Sequence, residues 1–222
     1  MSIVIAVDGT AASGKGTLAK KLAQHFGFAH LDSGALYRLA AYSVLAAKGD
    51  PASEADALRG AQTIDFNLAG DPCIRTDIVG KAASHVAAIP AVRTALFDFQ
   101  KNFLTNPPGG SPGAVMDGRD IGTVICPEAT AKLYVDAKVE IRARRRWTEL
   151  KAMGIRRAEQ DVVAELQARD AADKSRPVAP LKQAPDADLL DTSDLSIEAA
   201  FAAALALVSA KVEGALKDRH RG

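Results

Sequence analysis

The sequence predicts an α/β fold, a five-stranded parallel sheet flanked by helices, in a single domain over residues 1–222. Short apolar runs alternate along the chain with longer segments that are apolar at helical spacing, which is the order of successive βαβ units. The first run, residues 3–7, is continuously apolar and mostly β-branched, as strands buried on both faces are. Hydrophobic residues make up 48% of the 222, which is enough for one core.

A helix is predicted over residues 18–26, where apolar side chains recur three and four positions apart and Gly27 can end the helix. A second strand is predicted over 28–31. Ser33 is expected to cap a helix that continues to about residue 48.

The next segment is mainly helical. Helices are predicted over 53–63, 76–88 and 91–106, with Pro90 separating the last two, and a short extended stretch is predicted over 64–68.

Strands and helices alternate again in the second half of the chain. The predicted elements are strands over 114–117 and 132–136, helices over 139–153 and 159–174, a strand over 187–191 and an Ala-rich helix capped by Ser196.

Composition limits the function classes. The formal net charge is +1, so we expect neither a broad basic surface for nucleic acid nor an acidic tail. Cys73 and Cys126 form no Cys-x-x-Cys pair, which argues against a disulfide framework or a zinc site and fits a reducing cytoplasm. The apolar run at 3–7 is too short for a signal peptide or a membrane span. We therefore expect a cytoplasmic protein that does not bind membranes.

Each predicted strand ends in aspartate. The five residues are Asp8, Asp32, Asp117, Asp136 and Asp191. Ligands of open α/β sheets bind beyond the carboxyl ends of the strands, so the first three indicate a site. For Asp136 and Asp191 we favour the ordinary role of aspartate in ending strands.

The loop after the first strand has the spacing Gly-x4-Gly-Lys between a strand and a helix. Such a loop turns backbone N–H groups and a helix N-terminus towards phosphate, and Lys15 can reach the β- and γ-phosphates. A glycine-containing βα turn without a ligand is the alternative. The predicted ATP-binding residues are Gly9, Thr10, Ala11, Ala12, Ser13, Gly14, Lys15, Gly16 and Thr17. The residue after the lysine is Gly16 and the hydroxyl follows at Thr17, so we expect Mg²⁺ to be held largely through water.

Two further strings begin at strand ends. In residues 31–38, Ser33 and Arg38 could face an anionic acceptor, although a helix cap and a solvated helix face are the alternatives. In residues 116–123, Arg119 would lie beside the phosphate loop. Asp117 and Asp120 could hold hydrated Mg²⁺ or bind a ligand, and a turn with an Arg–Asp pair is the alternative.

The sequence closely resembles the bacterial cytidylate kinases, a family of nucleoside monophosphate kinases. Matching strings occur in family order over most of the chain. They are residues 8–17, 31–38, 82–88 and 91–93, Asp117-Gly118-Arg119-Asp120-Ile121-Gly122-Thr123, Arg169-Asp170-x-x-Asp173 and residues 176–181. Gly-Lys-Gly-Thr is the loop form typical of nucleoside monophosphate kinases. The family loop usually reads Gly-Pro-Ser-Gly-Ala-Gly-Lys-Gly-Thr, so residues 10–13 depart from it.

The resemblance implies a P-loop kinase fold with a monophosphate-binding subdomain at about 49–90 and a lid at about 144–176. It implies Mg²⁺-assisted, in-line transfer of the ATP γ-phosphate to CMP, and to dCMP, by a monomeric enzyme of pyrimidine nucleotide metabolism. Residues 64–75 are shorter than the family's β-rich insertion, so we expect a trimmed monophosphate-binding subdomain. UMP or shikimate remains an alternative acceptor.

The resemblance also implies residue roles. The acceptor phosphate would be clamped by Arg38, Arg119 and Arg176 beside Ser33. The cytosine edge would be read by Ser84, Arg93 and Asp120, and the sugar hydroxyls would meet Arg169 and Asp173. The catalytic residues would be Lys15, Arg119 and Arg176. From the chemistry of their side chains, independently of the resemblance, the metal residues would be Thr17 and Asp117, acting through water.

Residues 142–176 carry ten basic and six acidic side chains, a local net charge of +4. Three hypotheses fit this segment: a nucleic-acid-binding helix, a solvated helix face, and a lid over ATP. The core of a nucleic-acid-binding helix would be Arg142, Arg144, Arg145, Arg146 and Trp147. The resemblance favours the lid, with Arg145 as a candidate phosphate contact.

Overall fold

The structure, a computed structural model that describes residues 2–219, confirms the predicted parallel sheet. Over these residues the strand order is β2-β3-β1-β4-β5, and every adjacent pair is parallel. The strands are β1 Ile3–Gly9, β2 Ala29–Asp32, β3 Gly113–Gly118, β4 Ala131–Asp136 and β5 Asp188–Asp191. The carboxyl ends of β1, β2 and β3 therefore lie side by side.

Eight α-helices within residues 2–219 surround the sheet, and each overlaps its predicted range. They are α1 Lys15–Phe26, α2 Ser33–Ala46, α3 Glu54–Gln62, α4 Asp77–Ala88, α5 Pro90–Thr105, α6 Val139–Ala152, α7 Glu159–Ser175 and α8 Ile197–Arg219.

Two local predictions are wrong. Ser33 does not cap α2, because its hydroxyl donates to the Asp117 carbonyl at 2.8 Å; the cap is Asp32, whose carboxylate accepts from the Ala35 N–H. Residues 64–68 are not extended: Phe66–Leu68 forms a 3₁₀ turn, and Pro72–Arg75 forms another. The aspartate that precedes each turn accepts a backbone N–H within it, which favours a tight turn over a strand.

The core has two layers at the sheet because side chains of β1 alternate between its faces. Ile3, Ile5 and Val7 pack with α1 and α8, whereas Val4 and Ala6 pack with the end of α5 and the segment after β3. A separate apolar cluster joins α2, α3, α4 and α5, and a smaller one joins the loop after β1 to α6 and α7. The last of these clusters includes Ala11 of that loop.

Candidate active site

The loop between β1 and α1 has a conformation that requires glycine at two positions. Gly9 has φ 154°, and a Cβ there would lie 1.9 Å from the Val135 carbonyl oxygen. Gly14 has φ 90° directly before α1. The chain can therefore turn tightly over the N-terminus of α1, where free N–H groups can bind phosphate.

Side chains of the loop anchor it to the sheet. Thr10 and Ser13 are fully buried. The Thr10 hydroxyl donates to Asp136 Oδ1 at 2.6 Å, and the Thr192 hydroxyl donates to the Ser13 carbonyl at 2.9 Å. Thr10 and Ser13 can therefore offer phosphate only their backbone. Asp136, interpreted from sequence as an ordinary strand end, holds the loop in place.

Lys15 begins α1, and its Nζ lies 3.4 Å from the Thr10 carbonyl. Burial, followed by the charge of Arg119, lowers the pKa of Lys15 to about 7. Phosphate oxygens beside this amine would stabilise its charged form. The geometry therefore suits a lysine that becomes fully charged when it meets an anion.

Asp117 lies at the end of β3, opposite the start of α1. Its Oδ1 is 2.9 Å from His30 Nε2, and a Cβ on Gly16 would lie 3.4 Å from its Oδ2. His30 thus contacts a predicted metal residue. The register pairs Asp32 of β2 with Asp117, so His30 belongs to the same sheet edge. The contact between His30 and Asp117 could not be predicted from the spacing of histidines in the sequence.

Two cavities meet at this edge of the sheet. The first, about 850 Å³, follows the phosphate loop and extends to Arg145 and residues 195–197; the second, about 650 Å³, lies between α2, α4 and α7. Lys15 and Asp117 line both. The arrangement can therefore bring two anionic ligands together across one lysine.

Six arginines line the second cavity, and Arg38, Arg119 and Arg169 are three of them. Burial alone would lower the pKa of Arg119, but the charge of Asp173 and its hydrogen bond at 2.7 Å outweigh burial, so the pKa is raised. Burial and then the charges of Arg119 and Arg38 lower the pKa of Arg169 to about 10. Its Nε has no hydrogen-bond partner among the described residues. The cavity therefore favours an anion.

A buried ion-pair group adjoins this cavity. Arg93 and Arg176 both pair with Asp120, the latter at 3.3 Å, and the Arg93 guanidinium lies 5.5 Å from the centre of the Tyr37 ring. Burial, as the largest effect, raises the pKa of Asp120. Ser84 lines the cavity and donates to the Gly80 carbonyl.

The structure thus brings the sequence-predicted acceptor residues together in two sets. Arg38, Ser84, Arg119 and Arg169 line the second cavity. Ser33 is engaged with β3, and Asp173, Asp120, Arg93 and Arg176 are engaged in ion pairs. Arg119 forms its ion pair with Asp173 and not with Asp117 or Asp120, so the alternative of a turn held by a local Arg–Asp pair is wrong.

Three arginines of α6 are turned towards the protein, whereas Arg144 is exposed and pairs with Glu159 at 3.3 Å. Arg142 is 4% exposed and donates to the carbonyls of Ala137 and Ala11 and to Asp170 Oδ2. Arg145 donates to Thr192 beside the first cavity, and Arg146 pairs with Asp77. These guanidiniums face the protein.

Sequence reasoning missed the ion pairs that connect α4 with α6 and α7. Asp77 binds Arg146 at 2.9 Å and Arg157 at 3.0 Å, and Arg157 also binds Glu165 at 2.6 Å. A partner 69 or 80 residues away leaves no local signal in the sequence.

The chain is similar to known proteins in sequence and in fold. An uncharacterized protein from Eubacterium ventriosum matches 93% of this chain and 98% of its own, with a TM-score of 0.52 and 12% identity, which supports the fold alone. The family model described as cytidylate kinase matches residues 5–210. Cytidylate kinase from Rhodospirillum rubrum is 51% identical over 94% of this chain and 98% of its own length, and cytidylate kinase from Bradyrhizobium diazoefficiens is 50% identical over 94% and 96%. With a family match over most of its length and relatives at about half identity, the chain belongs to the cytidylate kinase family.

Proposed function

We propose that this chain transfers the γ-phosphoryl group of ATP to the phosphate of CMP, and of dCMP, in pyrimidine nucleotide metabolism. The observation that carries the proposal is the meeting of two cavities at Lys15, one along the phosphate loop and one lined by arginines. Phosphoryl transfer needs donor and acceptor in line, with positive charge around the transferred group, and little covalent chemistry from the protein. Two cavities that meet at one lysine support both requirements.

On the donor side, backbone N–H groups of residues 9–17 hold the ATP phosphates, and Lys15 reaches the transferred group. Arg145, which lines the first cavity, contacts the donor. Lys15 acts catalytically because its charge is most useful where negative charge gathers during transfer.

Mg²⁺ accompanies ATP, and the residues present fit it. Asp117 directs one carboxylate oxygen towards Gly16, and Thr17 follows on an exposed turn of α1. Among residues 2–219 no group of three or more His, Cys, Asp or Glu side chains could enclose a metal. One carboxylate and one hydroxyl suit an ion that keeps its waters and binds through substrate phosphates. When bound with ATP, Mg²⁺ would neutralise charge on the phosphate oxygens.

On the acceptor side, Arg38, Arg119 and Arg176 clamp the CMP phosphate beside Ser33. Arg119 and Arg176 act catalytically by stabilising charge on the transferred group. Arg38 and Arg119 line the second cavity, which supports this role for them, and Arg176 pairs with Asp120 beside it.

The nucleoside is recognised by the remaining polar residues. Asp120 accepts from the exocyclic amine of cytosine, while Ser84 and Arg93 donate to its ring acceptors. Arg169 and Asp173 bind the sugar hydroxyls. Asp120 and Arg93 contact each other in this structure, so CMP would exchange part of that ion pair for hydrogen bonds to the base.

Two movable parts enclose the site: a monophosphate-binding subdomain at about 49–90 and a lid at about 144–176. Ion pairs from Asp77 to Arg146 and Arg157 join the two parts, which supports closure over the nucleotides. Closure keeps water from competing with CMP for the phosphoryl group.

The enzyme acts as a cytoplasmic monomer, free of membranes and nucleic acid. By length and composition, α8 is the one helix within the described residues that is apolar enough to cross a membrane. Ala204, Val208 and Val212 pack its inner face on the sheet, which supports a role as a core helix.

An ADP-release assay across CMP, dCMP, UMP, AMP and shikimate tests the proposal. We expect kcat/KM to be highest for CMP and dCMP, because Asp120 accepts from an exocyclic amine that UMP lacks. AMP carries such an amine on a larger ring system and serves as the control for size. Equal or better turnover with an acceptor that lacks cytosine would overturn the assignment.

A further inference from the structure

The segment directly after Asp120 forms a single π-helical turn, Ile121–Ile125. The Ile125 N–H donates to the Asp120 carbonyl at 3.1 Å, and the Cys126 N–H donates to the Ile121 carbonyl at 2.7 Å. A π turn is rare, and its first N–H groups have no partner within the turn.

Those N–H groups are bound by a residue of β1. The Ile121 N–H donates to Asp8 Oδ1 and the Gly122 N–H to Asp8 Oδ2, each at 2.8 Å. Both carboxylate oxygens of Asp8 therefore accept hydrogen bonds from consecutive amides of the turn. The register sets Asp8 opposite Gly118, so β3 holds the backbone before Asp120 while Asp8 holds the backbone after it.

Asp8 makes these two hydrogen bonds from a buried position. Asp8 is 4% exposed, and burial raises its pKa to about 6 despite the two backbone hydrogen bonds. A buried carboxylate that ionises with difficulty costs folding free energy at neutral pH. The Asp8 carboxylate holds the backbone that carries Asp120. The oxygens of Asp120 in turn pair with Arg93 and Arg176.

We propose that Asp8 is a positioning residue for the acceptor base: by holding the turn at Ile121 and Gly122, it fixes the direction of the Asp120 carboxylate. This inference rests on the base-reading role proposed above for Asp120. Asp8 touches neither nucleotide and acts through the turn.

The neighbouring strand offers a matched control. Asp136, at the end of β4, accepts from the Thr10 hydroxyl of the phosphate loop and so supports the donor side. Two strand-end carboxylates thus hold two different segments, and their substitution should affect two different substrates.

Asp8→Asn keeps the size of the side chain but turns an NH₂ group towards one of the two amides. We expect the CMP KM to rise about tenfold and the ATP KM to change less than about twofold, since one charged hydrogen bond is lost on the acceptor side only. Asp136→Asn should have the opposite effect: the ATP KM should rise and the CMP KM should change little. Amide exchange followed by NMR should show lost protection at Ile121 and Gly122 in Asp8→Asn.

A double-mutant cycle with Asp120→Ala decides whether Asp8 acts through Asp120. If it does, adding Asp8→Asn to Asp120→Ala raises the CMP KM no further. Independent, multiplying effects would overturn the inference, as would equal rises in both KM values for Asp8→Asn alone.

The same cycle separates the inference from the role on which it rests. If Asp120→Ala raises the CMP KM and Asp8→Asn does not, only the inference on Asp8 fails. If Asp120→Ala leaves the CMP KM unchanged, Asp120 does not read the base and both fail.

Gly122→Ala provides a second variant should Asp8→Asn not fold. A Cβ there would lie 3.4 Å from Asp8 Oδ2 and 3.1 Å from Lys132 Cδ, so the lysine stem and the turn must shift slightly. We expect the same KM split, smaller in size; a rise in the ATP KM alone would contradict the proposal.

Discussion

At the scale of single residues, Ala12 shows the backbone strain that results from a non-glycine residue in the phosphate loop. Its φ is 58°, in the left-handed region, at the position where the family loop usually carries glycine. An alanine there has its Cβ close to the backbone, at a cost of about 1–2 kcal/mol. Ala12 lines both cavities, so this strain lies where the two nucleotides meet.

Ala12→Gly should relieve that strain. Since glycine also loses more entropy on folding, we expect a net gain of about 0.5–1 kcal/mol in the free energy of unfolding, measured by urea titration without nucleotides. Ala164→Gly, at an exposed position within α7, is the control and should lose about 1 kcal/mol. Equal losses for the two variants would contradict the strain at Ala12.

At the scale of elements, ion pairs join α4 to the segment of α6 and α7 that we propose as the lid. The side chains of Asp77, Arg146 and Arg157 are each 22–25% exposed, so their pairing is partly screened by water. Contacts of this strength can break and re-form as nucleotides enter and leave. The ion pairs are therefore more compatible with helices that move apart and together than with helices in fixed contact.

Asp77→Asn should loosen the lid. Trp147, the single tryptophan of the chain, lies in α6 and donates to the Arg157 carbonyl, so its fluorescence reports this contact. We expect stronger acrylamide quenching of Trp147 in the variant, and a loss of about 1 kcal/mol in stability or less.

Asp188→Asn removes an exposed pair with Lys211 and serves as the matched control, with unchanged quenching expected. Added salt should make wild-type quenching approach that of Asp77→Asn, because screening weakens partly exposed pairs. Unchanged quenching in Asp77→Asn would show that the lid is held by other contacts.

At the scale of the whole molecule, the near-zero net charge conceals a local excess. Residues 142–176 hold a net +4 within a total of +1. Much of this positive charge faces the protein: Arg142 is buried, and Arg169 and Arg146 line the second cavity. Positive charge is thus gathered at the second cavity and is balanced elsewhere on the chain.

The Ala-rich α8 closes one face of the sheet. Val208 is fully buried against it, so Val208→Ala should lower the free energy of unfolding by about 2 kcal/mol, the value of two methylene groups and the space they leave. Leu189→Ala, at a residue 57% exposed on β5, is the control and should change stability by less than about 0.5 kcal/mol. If Val208→Ala leaves the free energy of unfolding unchanged, the packing of α8 on the sheet does not contribute to stability.

The amino-acid sequence by itself determined the α/β class, the order of strands and helices, the phosphate loop and the family. These features depend on local periodicity and spacing: a β-branched run makes a strand, and Gly-x4-Gly-Lys after it makes a phosphate loop. The extended stretch at 64–68 was predicted wrongly because aspartate side chains close turns there without changing the apolar pattern.

Only the tertiary structure decided which charged groups meet. Arg119 pairs with Asp173, which is 54 residues away in the sequence. Asp8 accepts hydrogen bonds from two amides that are 113 and 114 residues away in the sequence. Ser33, expected to cap a helix, binds β3 because its strand end lies beside Asp117. Partners of this kind depend on how strands and helices pack, and a carboxylate or guanidinium looks the same in the sequence whichever partner the packing brings to it.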